Sequence, residues 1–291
     1  MQAGEITKMA MPVNDNIAIN NEEFKLLRDL VYERFGINLT ETKRDLVVSR
    51  LQNVLQLQDF DSFKSYYQYL ITDRTNQGLN ELINHISTNF SYFYRENAHF
   101  DFFSRQALPQ LIEKLRQRNS YDIRLWTAGC STGEEPYMLI MLMMEHLGLD
   151  YGNWDAGMLA TDISERVLKT AAKALYPLDR IERVPAHIRQ RYFKTAGNGM
   201  AAVSRKVKED ITLRRFNLMN PFPFKKPFQM IFCRNVMIYF DKPTRDRLIK
   251  RFHQILEPGG YLFIGHSESL GRTQKLYKYV IPACYQKLEV R

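Results

Sequence analysis

The stretch IFCRNVMIYFD, residues 231–241, decides how the second half of this chain folds. Its first three residues continue an apolar run that is typical of a strand buried on both faces. Arg234 and Asn235 then interrupt the apolar pattern, which resumes at residues 236–238. The pattern therefore predicts that a buried strand ends here and that its polar side chains leave the sheet to meet a polar group.

Similar apolar runs occur on both sides of this stretch. They are IRLWTAG at 123–129, AGMLATDIS at 156–164 and GGYLFIGHS at 259–267, and helical patterns separate them. Alternating strands and helices are typical of a parallel sheet with helices on both faces. The sequence therefore predicts an α/β, Rossmann-like fold for this part of the chain.

The alternation is interrupted between Tyr176 and Phe216. Gly197-Asn198-Gly199 is a hairpin signal between RYFK and MAAVS, and ITLRRFNL at 211–218 is a candidate third strand. We predict a small antiparallel insert over residues 177–215. This segment carries 10 Lys and Arg residues against 4 Asp and Glu residues.

Four helical segments precede the α/β pattern. The first has apolar residues at helical spacing and ends at Gly36. The next two have Thr40 and Asp61 as candidate N-caps, and the fourth is NQGLNELINHIS at 76–87. We predict an all-helical domain over residues 20–88, following a polar tail at 1–19 for which we expect disorder. The α/β domain then occupies residues 89–291.

Composition limits the kinds of protein this chain can be. The length of 291 residues fits two domains, and the longest apolar run, residues 138–144, is far too short for a membrane span. The three cysteines form no C-x-x-C pair and the six histidines show no metal-ligand spacing, so we expect no metal site. We expect a cytoplasmic protein, and nothing in the sequence demands more than a monomer.

The net charge of +9 is distributed unevenly. Residues 1–88 hold 9 Lys and Arg against 12 Asp and Glu, whereas the remainder holds 32 against 20. Such asymmetry indicates an acidic partner for the second half. Nucleic acid, an anionic membrane and a Glu-rich protein would each satisfy this charge.

The turn after the first predicted strand, GCSTGEEPY, indicates the ligand. Gly129 and Gly133 allow a tight turn, and Glu134 and Glu135 begin the next helix. The turn has neither a G-x-G-x-x-G spacing nor a Lys-Ser/Thr pair, and two carboxylates would repel a phosphate. The pattern favours a cation-bearing adenosyl ligand, and the alternative is that each glutamate serves only to stabilise a helix N-terminus.

Polar residues also end the other strands. Asp162 stands where a carboxylate can accept both hydroxyls of a ribose, or it could instead cap the helix SERVLKTAAKAL. Asn217 ends the run RRFNL. The amide of Asn235 can both donate and accept hydrogen bonds, so it can bind an adenine edge or a reacting group.

The segments STGEEPY, TDIS, FCRNVMIYFD and LEPGGYLFIGHSES resemble those of the CheR family, the S-adenosylmethionine-dependent methyltransferases that esterify glutamates on bacterial chemoreceptors. The resemblance extends through ISTNFSYFYRE and runs from about residue 20 to the C-terminus. It implies a class I methyltransferase sheet, S-adenosylmethionine as cofactor and methyl-accepting chemotaxis receptors as partners. A nucleic-acid methyltransferase and a non-catalytic module that binds S-adenosylmethionine are the alternative functions.

The resemblance also implies roles for particular residues. The catalytic positions fall on Arg95 and Tyr239, although an ion pair with Glu96 and core packing are alternative roles for them. Lys43, Arg44 and Arg50 would face the receptor, and the insert would dock a receptor tail peptide in some members. Ser91 replaces the usual threonine and keeps the hydroxyl. The cofactor-contacting positions fall on Asn89, Ser91, Arg95, Glu134, Asp162, Asn217, Leu218, Asn235 and Val236.

Overall fold

Four helices form the first part of the structure, a computed structural model that describes residues 16–288. Reciprocal hydrogen bonds between Asn20 and Glu23 begin the first helix, and Gly36, in a left-handed conformation, ends it where the pattern predicts. The helices are α1 Asn21–Phe35, α2 Arg44–Leu57, α3 Phe63–Thr72 and α4 Gln77–Ile86.

The two predicted N-caps, Thr40 and Asp61, are wrong. Thr40 precedes a short 3-10 turn, and its side chain caps no helix. Ser62 caps α3 through a reciprocal exchange with Ser65, because Ser62 is the extended residue directly before the helix. Asp61 instead accepts hydrogen bonds from both serine hydroxyls, at 2.9 and 2.7 Å.

The helices enclose their own apolar core. Phe24, Val31, Leu51 and Tyr66 are among its buried residues, and Ile17 packs against it from outside α1. The main chain of Ile17 exchanges two hydrogen bonds with the Gln52 side chain, at 3.1 and 2.6 Å. Of the tail expected at 1–19, residues 1–15 lie outside the described residues.

Ten strands of the described residues form two sheets. The strands are β1 Leu125–Ala128, β2 Met158–Asp162, β3 Leu175–Pro177, β4 Phe193–Thr195, β5 Met200–Val203, β6 Ile211–Arg215, β7 Phe228–Cys233, β8 Leu256–Ile264, β9 Tyr277–Ile281 and β10 Cys284–Lys287. The main sheet has the order β6-β2-β1-β7-β8-β10-β9, and the small one has the order β3-β5-β4.

The main sheet has the predicted Rossmann-like arrangement. Strands β6, β2, β1, β7 and β8 are parallel neighbours, and β10 and then β9 continue the sheet beyond β8 in antiparallel pairs. The chain order reverses between β1 and β7, which makes their carboxyl ends a topological switch point where ligands bind in open α/β sheets. This confirms the predicted fold class, a methyltransferase-like sheet preceded by helices.

The small sheet confirms the predicted antiparallel insert but corrects one of its strands. β4 and β5 pair antiparallel across Gly197–Gly199, as the hairpin signal predicts. The third strand is β3 and not ITLRRFNL, whose residues 211–215 form β6 in the main sheet, parallel to β2. Alternation predicts a strand, but it does not say which sheet the strand joins.

Helices cover both faces of the main sheet. They are α5 Asn97–Phe102, α6 Leu108–Gln117, α7 Glu134–Leu147, α8 Glu165–Lys173, α9 Ala186–Tyr192, α10 Arg205–Glu209 and α11 Lys242–Ile255. Met230 and Phe232 of β7 pack in the core that contains α6 and α7 residues, whereas Ile231 and Cys233 pack in the core that contains α11 residues. Burial on both faces explains the continuous apolar run of this strand.

The three cysteines are buried and unpaired with one another. Cys130, Cys233 and Cys284 are free thiols. Burial raises the pKa of all three above the ordinary value, because a thiolate is disfavoured in an apolar interior. Among residues 16–288, no helix is both long enough and apolar enough to cross a membrane.

Helix α2 offers a matched test of the helical core. Leu51 is completely buried, whereas Leu57 on the same helix is 84% exposed. Leu51→Ala should lower the free energy of unfolding by about 2–5 kcal/mol, because it removes buried methyl groups and leaves a cavity. Leu57→Ala should change it by less than about 0.5 kcal/mol. Urea denaturation measures both, and equal losses would contradict the assigned core.

Candidate active site

A cavity of about 230 Å³ opens at the carboxyl ends of β1, β2, β6 and β7. Gly129, Asp162, Phe216 and Asn235, which follow or end these strands, contribute to its wall. The opposite wall comes from the helical part and from the segment after α4. The cavity is therefore formed jointly by both parts of the chain.

The turn after β1 brings the main chain directly against a neighbouring strand end. Gly129 has a φ of 94°, and a Cβ built on it would stand 2.3 Å from Cγ2 of Val236. Only glycine fits such a contact in that conformation. Both residues line the cavity, so Val236 lies where the resemblance predicts a cofactor contact.

Asp162 lies at the end of β2 and is almost completely buried. Its two carboxylate oxygens each accept one main-chain N–H, from Ser131 and from Ser164, at 2.9 Å. Burial raises the pKa of this carboxyl, and the N–H donors oppose that shift. Helix α8 is capped by Ser164, so Asp162 is free of the alternative capping role and faces the cavity.

The two glutamates that begin α7 point to different surroundings. Glu134 is buried, accepts hydrogen bonds from the Thr132 hydroxyl at 2.7 and 2.9 Å, and does not line the cavity. Glu135 does line it and pairs with Arg234 at 2.7 Å. Consecutive helical residues are about 100° apart around the axis, so only one of them can face the strand ends.

Arg234, at the break in the apolar run of IFCRNVMIYFD, contacts charged groups of the protein. Its side chain is 4% exposed and forms ion pairs with Glu96, at 3.1 Å, and with Glu135. It also donates to the main-chain oxygen of Arg95 and lies over the ring of Phe100. The polar groups that meet the end of β7 are thus two partly buried carboxylates of the protein itself.

The pKa values of these two carboxyls shift in opposite directions. Burial raises the pKa of Glu135, against the effect of Arg234. Burial also acts on Glu96, but Arg234 and the N–H donors of His266 and Asn235 outweigh it and lower that pKa. Glu96 is therefore the firmly ionised partner of Arg234.

Asn235 lies in a turn that the buried carboxylate of Glu268 stabilises through hydrogen bonds. Its φ of 58° is left-handed, and its side chain donates to Glu96 at 3.2 Å. Glu268 accepts the main-chain N–H groups of Asn235, Ile238 and Gly265. Burial raises the pKa of Glu268, and these donors oppose that shift.

Arg95 lies at the cavity wall beside two aromatic rings. Its guanidinium donates to the main-chain oxygen of Phe90 at 2.7 Å and stands 5.9 Å from the ring centroids of Phe90 and Tyr92. The partner of Glu96 is Arg234, not Arg95. The Arg95 side chain therefore keeps donors available toward the cavity.

Tyr239 joins the strand end to the helical part. Its hydroxyl donates to the main-chain oxygen of Thr88 at 2.9 Å, and its own main-chain oxygen accepts from Asn38 at 2.8 Å. Burial raises the pKa of this phenol, so it stays protonated. Tyr239 lines the cavity and also packs against the helical core, so the alternative of core packing applies to this ring, and its catalytic role stays a prediction.

The remaining cofactor candidates line the same cavity. The side chain of Asn89 donates to Ser87 at 3.1 Å, and Ser91 is fixed by Arg180, which donates to its main-chain oxygen at 2.7 Å. Asn217 donates to the main-chain oxygen of Arg34 at 2.7 Å, so its amide also links the two parts of the chain. The residues brought together there are Asn89, Ser91, Arg95, Asp162, Asn217, Leu218, Asn235 and Val236.

Two of the three basic residues expected to face a receptor lie at the cavity. Lys43 is 5.9 Å from the ring centroid of Tyr239, and Arg50 donates to the hydroxyl of Thr88 at 2.8 Å. Arg44 does not line the cavity. It bonds Asn21 and Glu41 and lies over the ring of Phe24, packed on the helical part.

Glu96, His99 and His266 place three possible metal-ligand atoms within 4.8 Å of one another. Nδ1 of His99 is buried without a hydrogen-bond partner in the described part of the chain. The two oxygens of Glu96, however, already accept from Arg234, Asn235 and His266. A carboxylate so filled, with a guanidinium at 3.1 Å, is a poor metal ligand, so we assign these groups a structural role.

Four further residues that stabilise the strand ends are not among the candidates predicted from the sequence. Glu96, Glu135, Arg234 and Glu268 make polar contacts at the strand ends, and none of them is among the positions at which the resemblance implies a cofactor or substrate contact. One signal was present, because Arg234 is a charged residue inside an otherwise buried apolar run and therefore requires a charged partner. The identity of that partner depends on segments far away in sequence.

Gly265 offers a test of the close packing beneath Asn235. A Cβ built there would stand 2.5 Å from Nδ2 and 2.8 Å from the main-chain nitrogen of Asn235. Gly265→Ala should lower the free energy of unfolding by about 1–3 kcal/mol, because the main chain must shift. Gly157→Ala is the control, since a Cβ there meets no atom within 4 Å. Chemical denaturation that gives equal values would refute the packing.

Buried His99 should make stability depend on pH. Burial, assisted by nearby Arg234, lowers its pKa from 6.5 to about 4. Protonation then favours the unfolded chain, so stability is complete above about pH 6.5 and falls as the pH approaches 4, by up to about 3 kcal/mol. Unfolding measured from pH 7 to 4 should show a shallower loss in His99→Gln than in the exposed-site control His187→Gln. Parallel curves would refute this effect.

Comparison with known proteins identifies the family. The model described as CheR methyltransferase, SAM binding domain matches residues 89–284, and that described as CheR methyltransferase, all-alpha domain matches residues 22–87. A chemotaxis protein methyltransferase of Borreliella burgdorferi is 42% identical, over 94% of this chain and 97% of the relative. Chemotaxis protein methyltransferase 2 of Pseudomonas aeruginosa is 36% identical, over 94% and 95%. The chain therefore belongs to the CheR family of S-adenosylmethionine-dependent methyltransferases, as its motifs predict.

Proposed function

We propose that the protein transfers the methyl group of S-adenosylmethionine to glutamate carboxylates of methyl-accepting chemotaxis receptors, forming methyl esters for sensory adaptation. One observation carries the proposal. The cavity at the strand ends is lined by Asp162 and Asn235 on one side and by Lys43 and Arg50 of the helical part on the other. A site for a nucleoside and basic groups for an acidic protein thus meet in one place.

The residues present fit an adenosyl ligand. The two oxygens of Asp162 accept main-chain N–H groups of Ser131 and Ser164, and a carboxylate has about four acceptor sites, which leaves capacity for the hydroxyls of a ribose. Gly129 carries no side chain at the turn, and Phe216, Leu218 and Val236 give the cavity apolar surface. We assign cofactor contacts to the residues that line the cavity and a supporting role to Glu134, which does not.

The proposed reaction needs positioning more than proton transfer. S-adenosylmethionine supplies its methyl group from a sulfonium, so transfer to a carboxylate gives a neutral ester and a neutral thioether. A glutamate, with a reference pKa of about 4.3, is already ionised at neutral pH and needs no general base. The protein must therefore align two reactants and exclude water, a contribution worth about 7–11 kcal/mol at best.

Arg95 and Tyr239 are the residues we propose to act at the reacting groups. A guanidinium suits a carboxylate because its planar donors match two oxygens, and Arg95 has donors free of any ion pair with Glu96. Tyr239 is fixed through its hydroxyl and main chain, so its ring can form a rigid wall beside the transfer position. Neither residue is required to exchange a proton.

The receptor is proposed to approach across the helical part. Lys43 and Arg50 lie at the cavity, whereas Arg44 is turned toward Phe24 and Glu41 and would contribute only through the field of its charge. The insert at 177–215 is proposed to dock a receptor tail peptide, because it is basic and because β3 and β4 are the edge strands of its sheet. We also propose a cytoplasmic monomer with domains at 20–88 and 89–291.

A nucleic-acid substrate is the alternative that charge alone permits. The second half of the chain is strongly basic. Of the two arginines of this half that line the cavity, however, Arg234 is committed to Glu96 and Glu135, which leaves Arg95 alone with available donors. This arrangement favours a protein substrate.

Transfer of labelled methyl from S-adenosylmethionine to receptor-containing membranes tests the proposal. Carboxyl methyl esters hydrolyse in mild alkali and release methanol, whereas methyl groups on nitrogen stay attached. We expect the label to be recovered as volatile methanol. Alkali-stable label, or label in nucleic acid, would leave the family assignment intact and overturn the proposed substrate.

The same assay tests the two proposed catalytic residues. Arg95→Ala should lower kcat/KM by about 100-fold, and Tyr239→Phe by a smaller factor of about ten, because both changes loosen the alignment of the reactants. Arg118→Ala is the control, since it removes an exposed positive charge at the end of α6. Near-normal turnover by a folded Arg95→Ala protein would refute the role of Arg95.

A further inference from the structure

The Arg234 guanidinium joins segments of chain that reach the cavity separately. It bonds Glu135 at the start of α7, Glu96 before α5, and the main-chain oxygen of Arg95. Its own main chain leads from β7 into the turn of Asn235. One buried side chain thus links the Arg95 segment to two of the strand ends that form the site.

The segment that carries Arg95 is held in an unfavourable conformation. Tyr94 and Glu96, on either side of Arg95, have φ values of 64° and 56°. A left-handed backbone conformation is uncommon for residues other than glycine. It is retained only where several contacts with the surrounding structure stabilise it. Arg234 supplies such constraints, because it holds both the carbonyl of Arg95 and the carboxylate of Glu96.

The arrangement requires the shape of arginine as well as its charge. The planar guanidinium donates to Glu135 through Nη1, to Glu96 through Nε and Nη2, and to Arg95 through Nη2. A lysine ammonium is a compact charge on a flexible stem and cannot reproduce this fork. Lysine would therefore keep the charge near the two carboxylates while losing part of the geometry.

We propose that Arg234 is a positioning residue that holds the Tyr94–Glu96 turn against the end of β7 and so sets where the Arg95 guanidinium stands in the cavity. The proposal deepens the function proposed above and rests on the role given to Arg95. It predicts that Arg234 contributes to methyl transfer through Arg95. A purely structural residue would affect folding without that dependence.

The test is a double-mutant cycle with Arg234→Lys and Arg95→Ala. Arg234→Lys alone should lower kcat/KM for methyl transfer by about 10- to 100-fold, because displacement of a reacting group by about 1 Å has effects of this size. In the Arg95→Ala background the same change should cost less than about twofold, since the group it positions is already absent. Arg124→Lys is the matched control.

The control shares the chemistry but not the location. Arg124 also donates to a main-chain oxygen, that of Pro227, lies over an aromatic ring and stands before β1, at the opposite end of the sheet. Arg124→Lys should leave kcat/KM unchanged. An Arg234→Lys protein with normal activity, or one that loses the same factor with and without Arg95, would overturn the proposal.

A second variant and a second measurement keep the outcome decisive. If Arg234→Lys does not fold, Glu135→Gln is the second variant, because it weakens the same contacts while Arg234 keeps its ion pair with Glu96. The decrease in kcat/KM caused by Glu135→Gln should also be smaller in the Arg95→Ala background. Calorimetric binding of S-adenosylhomocysteine, run through the same cycle, does not need the receptor. If the wild-type protein binds this product but methylates no receptor, the proposed function is wrong. The positioning role is then decided by whether the loss of binding affinity caused by Arg234→Lys disappears in the Arg95→Ala background.

Discussion

The structure depends on the burial of one charged group, the guanidinium of Arg234. A charge taken out of water must be compensated, and here Glu96 and Glu135 provide the compensation. These two residues come from either side of β1 in the chain, before α5 and at the start of α7. Because both carboxylates contact this one guanidinium, the segment that carries Glu96, the turn before Glu135 and the end of β7 lie next to one another.

The two parts of the chain consequently form a single site. Asn217 bonds Arg34, Tyr239 bonds Thr88 and Asn38, and Ser164 bonds Asn84 at 2.6 Å. Each contact joins a residue at or near a strand end to the helical part or to the segment that follows it. The helical surface and the cofactor side of the cavity are thus held in a fixed relation, which suits a reaction that depends on aligning two bound molecules.

Much of the fold and the outline of the site could be predicted from the sequence, because local patterns determine them. The strands, the turn at Gly129 and the polar residues that end strands follow from periodicity and from the rule that parallel strands present their carboxyl ends together. What depends on distant segments could not be predicted. The membership of ITLRR in the main sheet, the orientation of Glu135 rather than Glu134 toward the cavity, and the partners of Arg234 all belong to that class.

The three cysteines have a consequence for how the folded state can be followed. Cys130 and Cys233 lie in or beside the central strands and Cys284 in the antiparallel edge pair, and each thiol is buried with a raised pKa. Thiolate is the reactive form, so the native chain presents almost none of it to an alkylating reagent. Cys233 and Cys284, which do not line the cavity, can then be labelled only when the sheet opens, so the chain carries two internal reporters of that opening without any engineered probe.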